Sequence, residues 1–188
     1  MEKLLLHICC GPCMIVPYTY LSREYDIHAL WYNPNIQPLT EYMERMNAVK
    51  VFQEYSGAKV IYQTDYQLEE FFREIVFRES SRCKFCYHKR LEKAANIAKK
   101  GKFNYFSTTL LQSHQQDREL IIDIGKQLEN RYKVKFLIFD FRDKWKEGVE
   151  LSKKLGMYRQ QYCGCIYSEY DRYKFRFQKL KEKFKEKK

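Results

Sequence analysis

The chain has 188 residues, of which 45% are hydrophobic and 31% charged, a composition that suits one globular core rather than two ordinary domains. No apolar run approaches the roughly 20 residues that cross a bilayer, and the first residues turn polar too early for a secretion signal. We therefore expect a single α/β domain over 1–188, cytoplasmic and without a membrane partner.

The formal net charge is +11, and part of it lies in the tail Lys179–Lys188, which holds six lysines and two glutamates. This tail alone is also compatible with a solvated helix end. Basic residues recur elsewhere, however, and sixteen tyrosines and thirteen phenylalanines are interleaved with them. Cations that pair with phosphates and rings that stack on bases favour a nucleic-acid partner.

Strands and helices are predicted to alternate along the chain. In chain order they are strand 4–8, helix 14–24, strand 27–32, helix 40–56, strand 59–62, helix 67–77, helix 83–100, strand 103–107, helix 115–131, strand 134–139, helix 146–155 and a basic C-terminal helix from about Ser168. This alternation predicts a parallel sheet with helices on both faces.

Ligands of such sheets bind at the carboxyl ends of the strands. Cys9-Cys10-Gly11-Pro12-Cys13 directly follows the first predicted strand. Thr108 and Thr109 follow the fourth strand and offer hydroxyls to a substrate, while Asp140-Phe141-Arg142 closes the fifth. We therefore expect these segments to share one edge of the sheet.

The seven cysteines form three groups. An odd number of cysteines without a secretion signal argues against a disulfide framework and favours a metal or catalytic use. A two-residue gap lets both thiolates of a pair reach one metal or two corners of a cluster. The groups are Cys9 with Cys10-x-x-Cys13, Cys83-x-x-Cys86, and Cys163-Gly164-Cys165.

A stabilising zinc site in an RNA-binding module is the alternative to a redox centre. Seven thiols exceed the four that a closed tetrahedral zinc needs, and a chain of this length needs no metal to hold its core. The extra thiols favour a larger metal assembly with a second centre beside it.

Other polar residues near these segments have two interpretations. His7 is expected to be hydrogen-bonded below the site rather than a ligand. Asp140 beside Arg142 is compatible with a structural ion pair, or with a carboxylate ligand to iron. The polar run from Arg159 to Tyr162, just before Cys163, favours a functional role.

Five segments together resemble the QueH-type epoxyqueuosine reductases, in the family's order from about residue 4 to residue 170. His114 departs from the proline expected after Ser113. The segments are Cys9-Cys10-Gly11-Pro12-Cys13, Arg82-Cys83-x-x-Cys86 with Arg90-Leu91, Thr108-Thr109-Leu110-Leu111-x-Ser113, Asp140-Phe141-Arg142, and Tyr158-Arg159-Gln160-x-Tyr162-Cys163-Gly164-Cys165.

This resemblance implies a HUP-class, Rossmann-like α/β fold and reduction of the epoxide of epoxyqueuosine in tRNA. It also implies a [4Fe–4S] cluster, a nearby mononuclear iron, no cobalamin and an external electron donor. The cysteine run stands where related ATP-using enzymes carry a Ser-Gly-Gly-x-Asp-Ser phosphate loop, so we expect no ATP chemistry. The missing loop also argues against a cluster-dependent tRNA sulfurtransferase.

On this hypothesis the site residues take separate roles, and iron beside the cluster acts as a Lewis acid on the epoxide oxygen. Tyr162 is a candidate proton donor and Arg159 a further catalytic candidate. Cys13 stays undecided between the two centres. The cluster is assigned Cys9, Cys10, Cys83 and Cys86, and the second iron Cys163, Cys165 and Asp140.

Overall fold

Five parallel strands form the central sheet of this structure, a computed structural model that describes residues 1–185. The sheet order is β3-β2-β1-β4-β5, which is the order of a doubly wound Rossmann-like sheet. The predicted α/β class is confirmed. The strands are β1 (Glu2–Ile8), β2 (Tyr25–Trp31), β3 (Lys59–Tyr62), β4 (Tyr105–Thr108) and β5 (Lys135–Phe136).

Helices cover both faces of the sheet. Because crossovers between parallel strands are right-handed, the connections on the two sides of β1 lie on opposite faces. On one face α1 packs against α2 and α6, and on the other α4 packs against α5. The α-helices are α1 (Gly11–Leu21), α2 (Leu39–Ser56), α3 (Leu68–Ile75), α4 (Arg82–Lys100), α5 (Arg118–Tyr132), α6 (Trp145–Lys154) and α7 (Ile166–Lys185).

The core is centred on β1. Leu4, Leu5, Leu6 and Ile8 are fully buried because β1 is paired on both sides, with β2 and β4, and covered on both faces. Apolar residues on both faces of a strand are expected in such a position. The rigid centre of the sheet therefore ends directly at Cys9.

Two element boundaries differ from the prediction near the cysteines. Helix α1 begins at Gly11 rather than residue 14, because Cys10 is its N-cap and accepts a hydrogen bond from the Cys13 amide at 3.2 Å. Strand β5 pairs over two residues instead of 134–139, although the Leu137 amide still donates to the Phe106 carbonyl at 2.9 Å.

The C-terminal helix α7 begins two residues earlier than predicted and has no buried residue. It starts directly after Cys165, and its Asp171 accepts a hydrogen bond from Arg82 of α4 at 3.0 Å. The last part of the basic tail, residues 186–188 with Lys187, lies outside the described residues.

Within residues 1–185, no helix is long and apolar enough to span a membrane.

Candidate metal centre

The first cysteine segment joins the end of β1 to the start of α1. The sulfur atoms of Cys9, Cys10 and Cys13 lie within 4.8 Å of one another, and those of Cys10 and Cys13 are close enough to form a disulfide. Proline and glycine open the first turn of α1, where the missing amide of proline removes no helical hydrogen bond. In the reduced chain these three thiols can share one metal or one cluster.

Two polar side chains hydrogen-bond to these sulfurs. The Gln160 amide Nε2 donates to Cys10 Sγ at 2.9 Å and to Cys13 Sγ at 3.1 Å. The Thr109 hydroxyl donates to Cys9 Sγ at 3.4 Å and accepts from the Cys9 amide at 3.2 Å. Donors of this kind orient metal ligands and stabilise thiolate charge.

The second segment lies in the first turn of α4. Cys86 is buried, whereas Cys83 is exposed. Burial raises the pKa of Cys86 to about 11, an effect that the charge of Arg90 partly opposes. Metal binding at Cys86 therefore requires the release of a tightly held proton.

The third segment, Cys163-Gly164-Cys165, is a tight turn held from α2. The Arg45 guanidinium is buried and donates to the carbonyls of Cys163 and Tyr162, both at 2.9 Å, and to Glu41 at 2.7 Å. Gly164 has φ +133°, a backbone conformation that favours glycine. The ion pair of Arg45 with Glu41 on α2 thus positions the backbone that carries the two thiols.

The thiols of this third segment share a hydrogen bond. The Cys165 thiol donates to the Cys163 sulfur, which lowers the pKa of Cys163 and raises that of Cys165. The charge of Arg90 also favours the Cys163 thiolate. One sulfur of the pair is therefore a ready thiolate ligand.

Electrostatic coupling links the three segments. The charge of Cys163 acts on both Cys83 and Cys86, and Arg90 is influenced by Cys86, Cys9 and Cys163. Residues of all three segments therefore act on one another, and the first of these segments lies at the carboxyl edge of the sheet, directly after β1. Within residues 1–185, direct convergence of three metal-ligating atoms occurs at Cys9, Cys10 and Cys13.

Asp140 lies after β5, in an ion pair rather than beside a sulfur. Its carboxylate accepts from the Arg142 guanidinium at 2.9 Å and 2.6 Å, and Arg118 Nε lies 3.6 Å away. The hydrogen bond from Arg142 lowers the pKa of Asp140 to about 2. The carboxylate is therefore ionised at neutral pH, with Arg142 as its present partner.

Arg159 and Tyr162 both precede the third cysteine segment. The Tyr162 hydroxyl donates to the Gln37 carbonyl at 2.6 Å, and burial raises its pKa. Arg159 lines a small cavity together with Pro12, Gln112 and Trp145. Arg159 thus borders the first cysteine segment, whereas the Tyr162 hydroxyl is engaged with the backbone.

His7, Thr108 and Thr109 are buried below the cysteines. His7 Nδ1 is 2.8 Å from Thr108 Oγ1, and its Nε2 is 3.1 Å from the Tyr32 carbonyl oxygen, so His7 is hydrogen-bonded below the site as expected. Burial lowers the pKa of His7 to about 3, which keeps it neutral. Both threonine hydroxyls bind protein groups, in contrast to the predicted substrate contact.

Two buried arginines contact the cysteine segments, although neither was predicted as a site residue. Arg90 donates to Cys86 Sγ at 3.0 Å, and Arg45 holds the Cys163 turn. The spacing of Arg90, one helical turn after Cys86, is a signal that places both side chains on one helix face. Nothing local in the sequence connects Arg45 with a turn more than 100 residues away.

The donor set fits a thiolate-ligated metal centre. Three sulfurs converge at the first segment, the side chains of Gln160 and Thr109 donate to them, and the buried Arg90 is influenced by one cysteine of each segment. Soft thiolate ligands select zinc, Cu(I) and iron–sulfur clusters, and seven exceed the needs of one closed zinc site.

Comparison with known proteins agrees with this geometry. Residues 4–171 match the family model described as Epoxyqueuosine reductase QueH. A relative of that name from Thermotoga maritima is 38% identical over 182 residues, covering 92% of this chain and 93% of its own. Another from Dehalococcoides mccartyi is 33% identical over 172 residues, covering 91% and 94%.

Among solved structures, the fold is similar to that of a predicted subunit of tRNA methyltransferase from Methanocaldococcus jannaschii. The TM-score is 0.54 with 15% sequence identity, over 80% of this chain and 75% of the other. At this identity the likeness concerns the fold alone.

Proposed function

The chain belongs to the epoxyqueuosine reductase QueH family, and we propose that it is an oxidoreductase that converts epoxyqueuosine in tRNA to queuosine. The observation that carries the proposal is the convergence of the Cys9, Cys10 and Cys13 sulfurs at the carboxyl edge of the sheet, where an α/β fold binds its ligands, together with the action of Cys86 and Cys163 on the same buried Arg90 as Cys9. Action on a tRNA nucleoside is consistent with the predicted cytoplasmic location.

A [4Fe–4S] cluster and a mononuclear iron are the cofactors of this proposal. When bound, the cluster supplies electrons one at a time. Cys9, Cys10, Cys83 and Cys86 would bind its four corners, and Cys13, whose sulfur lies within 4.8 Å of those of Cys9 and Cys10, would be a fifth thiol beside the cluster.

The mononuclear iron would be held by Cys163, Cys165 and Asp140. The lowered pKa of Cys163 supports its role, because a metal ligand must be deprotonated. Asp140 is ionised as a ligand must be, but it has to exchange Arg142 for the metal.

Reduction of the epoxide to an alkene consumes two electrons and two protons, and the oxygen leaves as water. An external donor provides the electrons. Among this chain's own residues, Arg159 lines a small cavity beside Pro12 and would orient the substrate near the first cysteine segment. Tyr162 Oη is the proposed proton donor and would exchange its bond to the Gln37 carbonyl for one to the substrate.

The surface of α7 supports a tRNA partner. This helix follows Cys165 directly and carries lysines and arginines among exposed aromatic rings. Cations bind phosphates with a strong dependence on salt, and aromatic rings stack on unpaired bases. The exposed rings are Tyr170, Phe175, Phe177 and Phe184.

The proposal is tested on protein reconstituted anaerobically with iron and sulfide. A tRNA that carries epoxyqueuosine is incubated with the protein and a chemical reductant, and the digested nucleosides are identified by mass spectrometry. We expect conversion to queuosine without ATP, and more iron than sulfide bound. A colourless zinc protein without turnover would indicate the RNA-binding alternative, and ATP-dependent sulfur insertion would indicate a sulfurtransferase.

Single cysteine variants test the division of ligands. We expect Cys83→Ala to lose both the visible cluster absorption and turnover, because a cluster corner is missing. Cys163→Ala should keep most of the absorption and lose turnover. Cys86→Ala and Cys165→Ala are the paired repeats, and equal bleaching by all four variants would contradict the division.

A further inference from the structure

Arg90 is a buried cation in direct contact with a cysteine sulfur. It lies on α4 one turn after Cys86, and its side chain is only 3% exposed. Its Nε donates to the Cys86 carbonyl at 3.1 Å, and its terminal nitrogen donates to Cys86 Sγ at 3.0 Å. The neighbouring Tyr87 ring lies 5.9 Å from the guanidinium carbon, so the group is enclosed as well as bonded.

The charge of Arg90 has no carboxylate partner in the part of the chain that is described. No Asp or Glu oxygen of residues 1–185 lies within 4.0 Å of it, whereas the other deeply buried arginine, Arg45, is paired with Glu41. A guanidinium stays protonated in proteins, and burying an unpaired charge is strongly unfavourable. A negative charge is therefore expected close to Arg90.

The groups around Arg90 are cysteines from three segments. Cys86 bonds to it, and the charges of Cys9 and Cys163 also act on it. A cluster ligated by thiolates carries net negative charge, so a metal centre at these cysteines would supply the counter-charge that no carboxylate of the described residues provides.

We propose that Arg90 is the built-in counter-charge of the metal centre: it orients Cys86 through a hydrogen bond to sulfur and stabilises the reduced, more negative cluster. The inference rests on the proposed metal centre. Arg90 is thus a positioning residue, which acts through Cys86 on the cluster. Removing its positive charge should weaken metal retention and shift the reduction potential to more negative values.

The sign of the effect on stability distinguishes this role from packing. Without metal, Arg90 is a buried charge with no carboxylate partner, and only the Cys163 thiolate, to which it makes no hydrogen bond, offsets it, so Arg90→Met should leave the melting temperature of the reduced, metal-free chain unchanged or raise it. After loading with iron and sulfide, the same variant should gain less in melting temperature than the wild type does. It should also lose iron faster to a chelator and have a more negative potential in an anaerobic spectroscopic titration.

Two further variants complete the experiment. Arg90→Lys keeps the charge and should restore most of the potential and of the metal-dependent rise in melting temperature. Arg131→Met removes an arginine that is 63% exposed and paired with Glu92 at 2.7 Å. This control should change neither the reduction potential nor the metal-dependent rise in melting temperature.

Three outcomes would overturn the inference. One is that Arg90→Met destabilises the metal-free and loaded chains equally, as a packing role requires. Another is that its potential and its rate of iron loss match the wild type. A third is that Arg90→Lys behaves like Arg90→Met. If the wild type itself binds no iron and sulfide, the proposed metal centre fails and the inference falls with it.

Discussion

Replacing Arg45 with methionine should destabilise the fold, because Arg45 holds the backbone of the third cysteine segment in place. The guanidinium is 1% exposed and makes hydrogen bonds of 2.7–2.9 Å to the Glu41 carboxylate and to the carbonyls of Cys163 and Tyr162. Methionine fills a similar volume but leaves the buried Glu41 charge without its partner and the two carbonyls without a donor.

The expected cost follows from this geometry. Breaking a buried ion pair by removing one partner costs about 3–5 kcal/mol. Because the Tyr158 hydroxyl still donates to Glu41, we expect a loss near the lower end, about 3 kcal/mol, in the free energy of unfolding. The double variant Glu41→Gln with Arg45→Met should recover part of this loss, because the uncompensated charge is gone.

Urea denaturation of the reduced chain, followed by circular dichroism, measures the effect. Arg73→Met is a matched control, because Arg73 pairs with Glu69 at the same i,i+4 spacing and 2.6 Å but both side chains are more than 70% exposed. That substitution should cost less than about 1 kcal/mol. The reasoning is refuted if Arg45→Met costs no more than Arg73→Met.

Three more perturbations test the geometry. Gly164→Ala should cost about 1–3 kcal/mol, because a Cβ there would lie 3.1 Å from Ile36 and 3.2 Å from Asn35. In the control Gly57→Ala, the added Cβ has no atom within 4 Å, and the change should cost about 1 kcal/mol in the same urea titration. Equal costs for the two variants would contradict the predicted crowding at Gly164. Burial lowers the pKa of His7 from 6.5 to about 3, so its contribution to stability is complete above pH 6.5 and is lost as the pH falls toward 3. His7→Gln should flatten the acid side of a stability-versus-pH curve, and identical curves would exclude this role. Changing three α7 lysines to glutamine should weaken tRNA binding and flatten its salt dependence in filter-binding assays. The same change of three lysines at the opposite edge of the sheet should have less effect. If tRNA affinity depends on salt equally in both variants, α7 is only a solvated helix. The α7 lysines are Lys181, Lys183 and Lys185, and the control lysines are Lys99, Lys100 and Lys102.

The alternation of apolar runs and helical patterns was sufficient to predict the fold class and the edge of the sheet at which the first cysteine segment lies. Apolar runs such as Leu4–Ile8 report burial on both faces directly, and parallel strands require that their carboxyl ends share one edge. Boundaries were less predictable near the site. The Cys10 side chain caps α1, although cysteine is not among the usual N-cap residues. Strand β5 is shorter than predicted because the chain stops pairing with β4 after Phe136.

Within the site, the sequence alone determined the grouping of the thiols, because ligand spacing is a local property of the chain. Only the tertiary structure decided which distant groups meet them. Arg45 reaches the Cys163 turn, Gln160 reaches the sulfurs of Cys10 and Cys13, and Asp140 is paired with Arg142. These contacts depend on how the loops after different strands approach each other, and residue type and spacing along the chain carry no information on that distance.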